Sequence, residues 1–98
     1  MDEYVTPTGP EVPARDMVLW NWAATVDALP VGTRITGKVV SRQPFGIFIR
    51  IQGVPDALGL AEITAMPLGM KLPALGATVT GVVHWLDPRN QVRVRLDE

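Results

Sequence analysis

The sequence has no cysteine and only one histidine, His84, in 98 residues. Disulfides and thiolate-ligated metals are thereby excluded. One imidazole supports neither a histidine-based zinc site nor a nucleophile–histidine–acid triad, and no metal or cofactor is expected. Long hydrophobic runs are also missing. No apolar stretch approaches the roughly 18 residues of a membrane span, and the opening Met1-Asp2-Glu3 lacks the basic-then-apolar layout of a signal segment. A cytoplasmic protein with no membrane partner is the expectation. What is present, a chain that is 47% hydrophobic, is enough for one domain with a modest core.

The net charge of −1 hides an uneven distribution. Residues 1–30 carry one base, Arg15, against five acids, a net of −4. Residues 31–98 carry eight bases against five acids, a net of +3. Asymmetry of this kind between halves points to nucleic-acid contact through the basic part. The plain alternative is that these lysines and arginines simply form a solvated face.

Residues 1–13 hold three prolines, one glycine and three acids, the composition of an extended or disordered tail. Residues 14–30 read as a helix, with Asp16 in capping position and Pro30 as the stop. Leu19, Trp22, Val26 and Leu29, spaced by 3, 4 and 3, form its apolar stripe. That stripe is expected to cover an open end of the domain that follows, or else to bind a protein partner. Trp20 lies off it, either exposed or packed beside Ala23 and Ala24.

Five alternating strands follow: Thr33–Val40, Phe45–Ile51, Leu58–Ile63, Thr78–Leu86 and Gln91–Leu96. The longest connection, residues 64–76, separates the third from the fourth, with Met66 and Met70 expected to fill core gaps. This order predicts an all-β domain over residues 31–98, a five-stranded Greek-key barrel of the OB type, with the N-terminal helix packed on it.

The stretch Gly37–Ile51 is the centre of the pattern. Ile47, Ile49 and Ile51 share one face of a strand, and Phe48 and Arg50 share the other. A bulge at Gly46 would bring Phe45 to the Phe48 face. Two rings beside a guanidinium on a curved sheet are the makings of a base-stacking platform for single strands. Alternatively, both rings pack under a loop or the N-terminal helix.

Residues 32–98 resemble the S1 RNA-binding domain, an OB-fold relative of cold-shock domains. The likeness is carried, in order, by GKVV, PFGIFI, LGLAEI, GATVTGVVHWLD and VRVRL. It implies binding of single-stranded RNA by stacking on Phe45 and Phe48. It further implies an aspartate ending the fourth strand, matched by Asp87, and an arginine opening the fifth. The arginine maps to Arg93 if the preceding hairpin is two residues longer than usual; without a gap Gln91 takes its place. Where the family has a histidine, this sequence has Glu62. Lys38, Arg50, Arg93 and Arg95 have the outward parity for phosphate contact or guanidinium stacking. His84 is a candidate donor to a base edge in place of the missing histidine. Trp85 either extends the platform or is covered by the N-terminal helix, and covering is the expectation.

The expected role is thus binding of single-stranded RNA without catalysis. The alternative is a protein-interaction module that docks on a ribosomal or ribonuclease partner through the aromatic face or the N-terminal helix. A hydrolase would need Glu62 and Asp87 to pair beside a pocket that the sequence does not suggest. Whether the acidic N-terminal segment folds back over the basic face is left open.

Overall fold

The alternation of apolar and polar residues builds five strands: β1 Arg34–Gln43, β2 Gly46–Ile51, β3 Leu58–Glu62, β4 Thr78–Asp87 and β5 Gln91–Leu96. The structure, a computed structural model, describes residues 11–97. The tail expected over residues 1–13 therefore lies largely outside the described residues. The strands hydrogen-bond in the order β1-β2-β3-β5-β4, and β1 pairs with β4 to close the barrel. Neighbours are antiparallel except β3 and β5, which run parallel. Every strand thus has a neighbour on both sides, β3 and β5 meeting only at Gly59↔Val92 and Leu60↔Arg93, and the fold is the OB-type barrel that the strand order predicts.

The inward faces follow directly from the period of two. Ile35 and Val39 of β1, Ile47, Ile49 and Ile51 of β2, Val79 and Val83 of β4, and Val92, Val94 and Leu96 of β5 fill the interior. Full burial of one such side chain stabilises by about 1.5–3 kcal/mol. The connection between β3 and β4 begins with a 3-10 turn, Ile63–Ala65, and lays Met66, Met70 and Leu72 against this core.

Two bulges break the alternation, and neither falls at Gly46. In β1 the register passes from Val39↔Ile49 to Ser41↔Phe48, so Val40 is the extra residue. In β4 it passes from Val83↔Val94 to Trp85↔Arg93, so His84 is the extra residue. β2 itself is regular, and Gly46, Phe48 and Arg50 face outward opposite Glu62, Leu60 and Leu58 of β3.

The N-terminal segment differs from the single expected helix. It forms two, α1 Arg15–Trp20 and α2 Trp22–Ala28, interrupted at Asn21. The Asn21 side chain competes for helix carbonyls, its Nδ2 donating to Met17 O at 3.1 Å, while Thr25 Oγ1 donates back to Asn21 O at 3.0 Å. Local bonds of this type bend or break helices. Asp16 does not cap: Ala14 holds that position, and Asp16 sits in the first turn, where a carboxylate suits the helix dipole. The covering stripe is Val18, Trp22, Thr25 and Leu29, not the one read from Leu19 and Val26, both of which are exposed. Val18 packs on the outside of the barrel and Leu29 inside it, so the segment wraps from the outer face around to the core.

Candidate nucleic-acid interface

Most of the candidate residues lie on the outer face of β2-β3-β5-β4, with Lys38 on the neighbouring β1, and packing then separates them. Phe48 is completely buried, a correction to its expected exposure. It lies in a second apolar cluster with Val18, Val40, Leu58 and Leu60, against which Val12 and Phe45 also pack. The N-terminal segment contributes Val18 and Val12 to this cover, beside strand residues Val40, Leu58 and Leu60. Phe45 stays half-buried in the turn before β2. The two rings do meet, edge to face, with centroids 6.2 Å apart, but through the tight turn and not through a bulge at Gly46.

Glu62, Asp87 and Arg93 converge on adjacent strands. Leu60 of β3 is in register with Arg93 of β5, which brings Glu62 within reach of the guanidinium. Arg93 Nη2 donates to Asp87 Oδ2 at 3.0 Å, and Arg93 Nη1 to Glu62 Oε1. Asp87 also accepts from the backbone N–H of Arg89 at 2.9 Å, which fixes the Asp87–Asn90 turn. Arg93 is thus the residue of β5 that bonds Asp87, while Gln91 faces Asp87 across the hairpin and is largely buried. Glu62, in the place of a histidine, is consumed as a partner of Arg93, so it presents less negative charge to a ligand than a free carboxylate would. Both Glu62 and Asp87 accept from the one guanidinium.

Trp85 is not covered by the N-terminal helices. The bulge at His84 turns it outward opposite Arg93, whose Cζ lies 5.5 Å from the ring centroid, and 45% of the residue remains exposed. His84, the extra residue of that bulge, is half-buried. Burial, and then the positive charges of Arg95 and Arg93, hold its imidazole below the ordinary value of 6.5. Arg95 is exposed, whereas Arg93, expected beside it at the surface, is buried.

Lys38 and Arg50 are exposed and directly opposite each other on β1 and β2, as their parity required. They lie toward the Gln52–Asp56 loop, where an open groove of about 530 Å³ is lined by Thr36, Lys38, Arg50, Gln52, Asp56 and Thr78 among others. Sequence reasoning missed two things. Glu11, placed in an extended or disordered tail, is an ion-pair partner of both cations. Arg89, in the turn, is 3.5 Å from Asp87 Oδ1 and half exposed. Among the described residues no cluster of three or more potential metal-ligating acids, cysteines or histidines occurs, and no helix is long and apolar enough to cross a membrane.

No protein-family model and no curated protein matches the sequence. The fold, by contrast, is similar to several solved structures. The apo form of RNase R from Mycoplasma genitalium aligns with a TM-score of 0.65 at 18% identity, over 79% of this chain and 15% of that one. A chain of the a/eIF2alpha–aDim2p–rRNA complex from Pyrococcus horikoshii OT3 aligns with a TM-score of 0.61 at 18% identity, over 67% of this chain and 43% of that one. GSP13 from Bacillus subtilis gives 0.56 at 24% identity, over 70% and 55% of the two chains. The chain therefore spans about half or less of each of these proteins. At such identities the likeness is one of fold: this is an S1-like OB barrel.

Proposed function

We propose that the barrel binds single-stranded RNA on its outer face, and that the stacking surface is centred on Trp85. The observation that carries this reading is the half-exposed Trp85 ring set against an Arg93 guanidinium that Asp87 and Glu62 hold in place. A rigid aromatic surface of this kind accepts any base, because every base has a π-face. The strand order carries the surface on through Glu62 of β3 to Phe45 at the start of β2. Arg95 and Arg89 stand at its rim for phosphate contact, and Lys38 and Arg50 form a second basic point on the same barrel. Support also comes from the neighbours in fold, among them the RNA-containing Pyrococcus complex and RNase R.

The test is fluorescence anisotropy with a short mixed-sequence single strand of RNA over a series of salt concentrations. Binding should fall linearly in a log–log plot, with a slope of about −0.7 for each phosphate neutralised. Trp85→Ala should weaken it while the barrel stays folded. Absence of binding at millimolar RNA in low salt would sink the proposal.

One observation favours a second reading, docking on a protein. Trp20 is 83% exposed on α1, and Met17 and Leu19 beside it are also exposed. Binding to a protein that is insensitive to salt and lost in Trp20→Ala would support that reading instead.

A further inference from the structure

Lys38 and Arg50 face each other across β1 and β2 with no residue between them. Like charges directly opposite on neighbouring strands repel. The carboxylate that relieves this repulsion comes from outside the barrel. Glu11 Oε1 lies 3.4 Å from Lys38 Nζ, and Glu11 Oε2 lies 3.7 Å from Arg50 Nη1. One anion thus spans two cations, an oxygen to each, as the two free oxygens of a phosphodiester can.

Three features let this surface ion pair give way to a ligand. The contacts exceed the 2.7–2.9 Å of a strong charge-assisted bond, and all three side chains are about half exposed, so an incoming anion can exchange with Glu11. The groove beside the pair gives such an anion room and polar neighbours in Thr36 and Thr78. The carboxylate of Asp56 lines the same groove, held by Asn21 Nδ2 at 3.0 Å, so an anion there is favoured beside the two cations and opposed beside Asp56. Lastly, Val12 and Val18, which follow Glu11 in the chain, rest on the cluster that contains Phe48 and Leu60. The electrostatic anchor and the apolar cover belong to one short segment.

We infer that Lys38 and Arg50 form a seat for a nucleic-acid phosphate, that Glu11 fills this seat in the free protein, and that phosphate displaces Glu11 and loosens the segment over Phe48. The N-terminal segment is thus a competitor built into the chain. Its carboxylate stands where a phosphate would stand, and its valines cover the aromatic ring that lies beneath. The inference rests on the RNA-binding reading above.

The test uses the full chain as wild type, Glu11→Gln, Lys38→Gln/Arg50→Gln and the triple variant. Anisotropy with a short single-stranded RNA should show Glu11→Gln binding about threefold to tenfold more tightly, the factor expected from removing two exposed ion pairs. The gain should vanish in the triple variant. Amide shifts at Val18, Phe48 and Leu60 on addition of RNA should report the loosened cover. Equal affinity of wild type and Glu11→Gln would overturn the inference and leave the RNA-binding reading intact. If no variant binds RNA, that reading fails, and the seat is judged by a nitrogen–proton NMR titration of Glu11→Gln with inorganic pyrophosphate. Failure of pyrophosphate to shift the Lys38 and Arg50 amides then overturns the seat as well.

Discussion

Arg93 and Asp87 form an ion pair at 3.0 Å across the β4–β5 hairpin, with side chains only 4% and 0% exposed. A pair withdrawn so far from water loses much of its hydration, and its attraction offsets that loss only with further hydrogen bonds. Here they are supplied. Glu62 takes a second edge of the guanidinium, the Arg89 backbone N–H bonds the aspartate, and Trp85 lies against the cation. The arrangement ties the outer surfaces of β3, β4 and β5 together and sets the orientation of the tryptophan.

Removing one member of such a pair strands a buried charge. Asp87→Ala should destabilise the barrel by about 3–5 kcal/mol. Glu62→Gln should cost less, since Glu62 is partly exposed and its amide still accepts a hydrogen bond. Urea unfolding followed by circular dichroism separates them through the midpoints, with the slope unchanged if only stability is altered. A loss for Asp87→Ala no larger than that for Glu62→Gln would contradict the account.

The parts of this fold legible in the sequence are those that depend on neighbours along the chain. Ile47-Ile49-Ile51 and Val92-Val94-Leu96 announce their inward faces by period alone, and the barrel order follows from five such strands and one long connection. Phe48 has outward strand parity; what buries it is an outer cluster in which Val18, thirty residues earlier in the chain, joins Val40, Leu58 and Leu60, and no local pattern encodes that assembly. The bulges at Val40 and His84 are likewise properties of paired strands, so the outward turn of Trp85 could not be read from β4 by itself. That Arg93 and not Gln91 bonds Asp87 is a property of the hairpin, where Asn90 adopts a φ of +66° and Gln91 stands in register with Asp87.

Burial separates the roles of Phe48 and Trp85. Phe48→Ala empties a fully packed site and should cost about 3–5 kcal/mol in stability, so any RNA binding lost in that variant reports an unfolded barrel. Trp85→Ala removes a half-exposed ring and should leave a cooperative thermal transition. It should still weaken RNA binding by about 1–3 kcal/mol, the usual range for one stacked base. Thermal melts and anisotropy on both variants check the contrast. A Trp85→Ala protein that binds RNA as wild type does would move the stacking site elsewhere on the barrel.

Gly46 makes the tight entry to β2 possible. Its φ is +156°, and a Cβ there would be driven into the carbonyl oxygen of Ala61 and lie 2.9 Å from Glu62 Cα. The obstructing atoms are backbone of the paired strand β3 and cannot swing aside. Gly46→Ala should therefore destabilise by about 1–3 kcal/mol, and lower the melting temperature by about 4–8 °C for each kcal/mol lost in a domain of this size. An unchanged melting temperature would mean that β3 yields more readily than its pairing indicates.

His84 supplies a pH dependence whose sign is fixed by its surroundings. Burial, with Arg95 and Arg93 nearby, holds its folded value below 6.5. As pH falls, the unfolded chain takes up this proton first, so stability is steady above about 6.5 and declines as pH drops from there through the folded value. A phosphate bound beside Arg95 would offset the repulsion and raise the His84 value again. RNA affinity should accordingly increase as pH is lowered across that window, and His84→Gln should flatten the dependence. Titrating the imidazole Cε1 proton by NMR, with and without RNA, checks both statements. A midpoint at or above 6.5 in the free protein would contradict the burial argument. A midpoint unmoved by bound RNA would place the phosphates away from the β4–β5 end of the face.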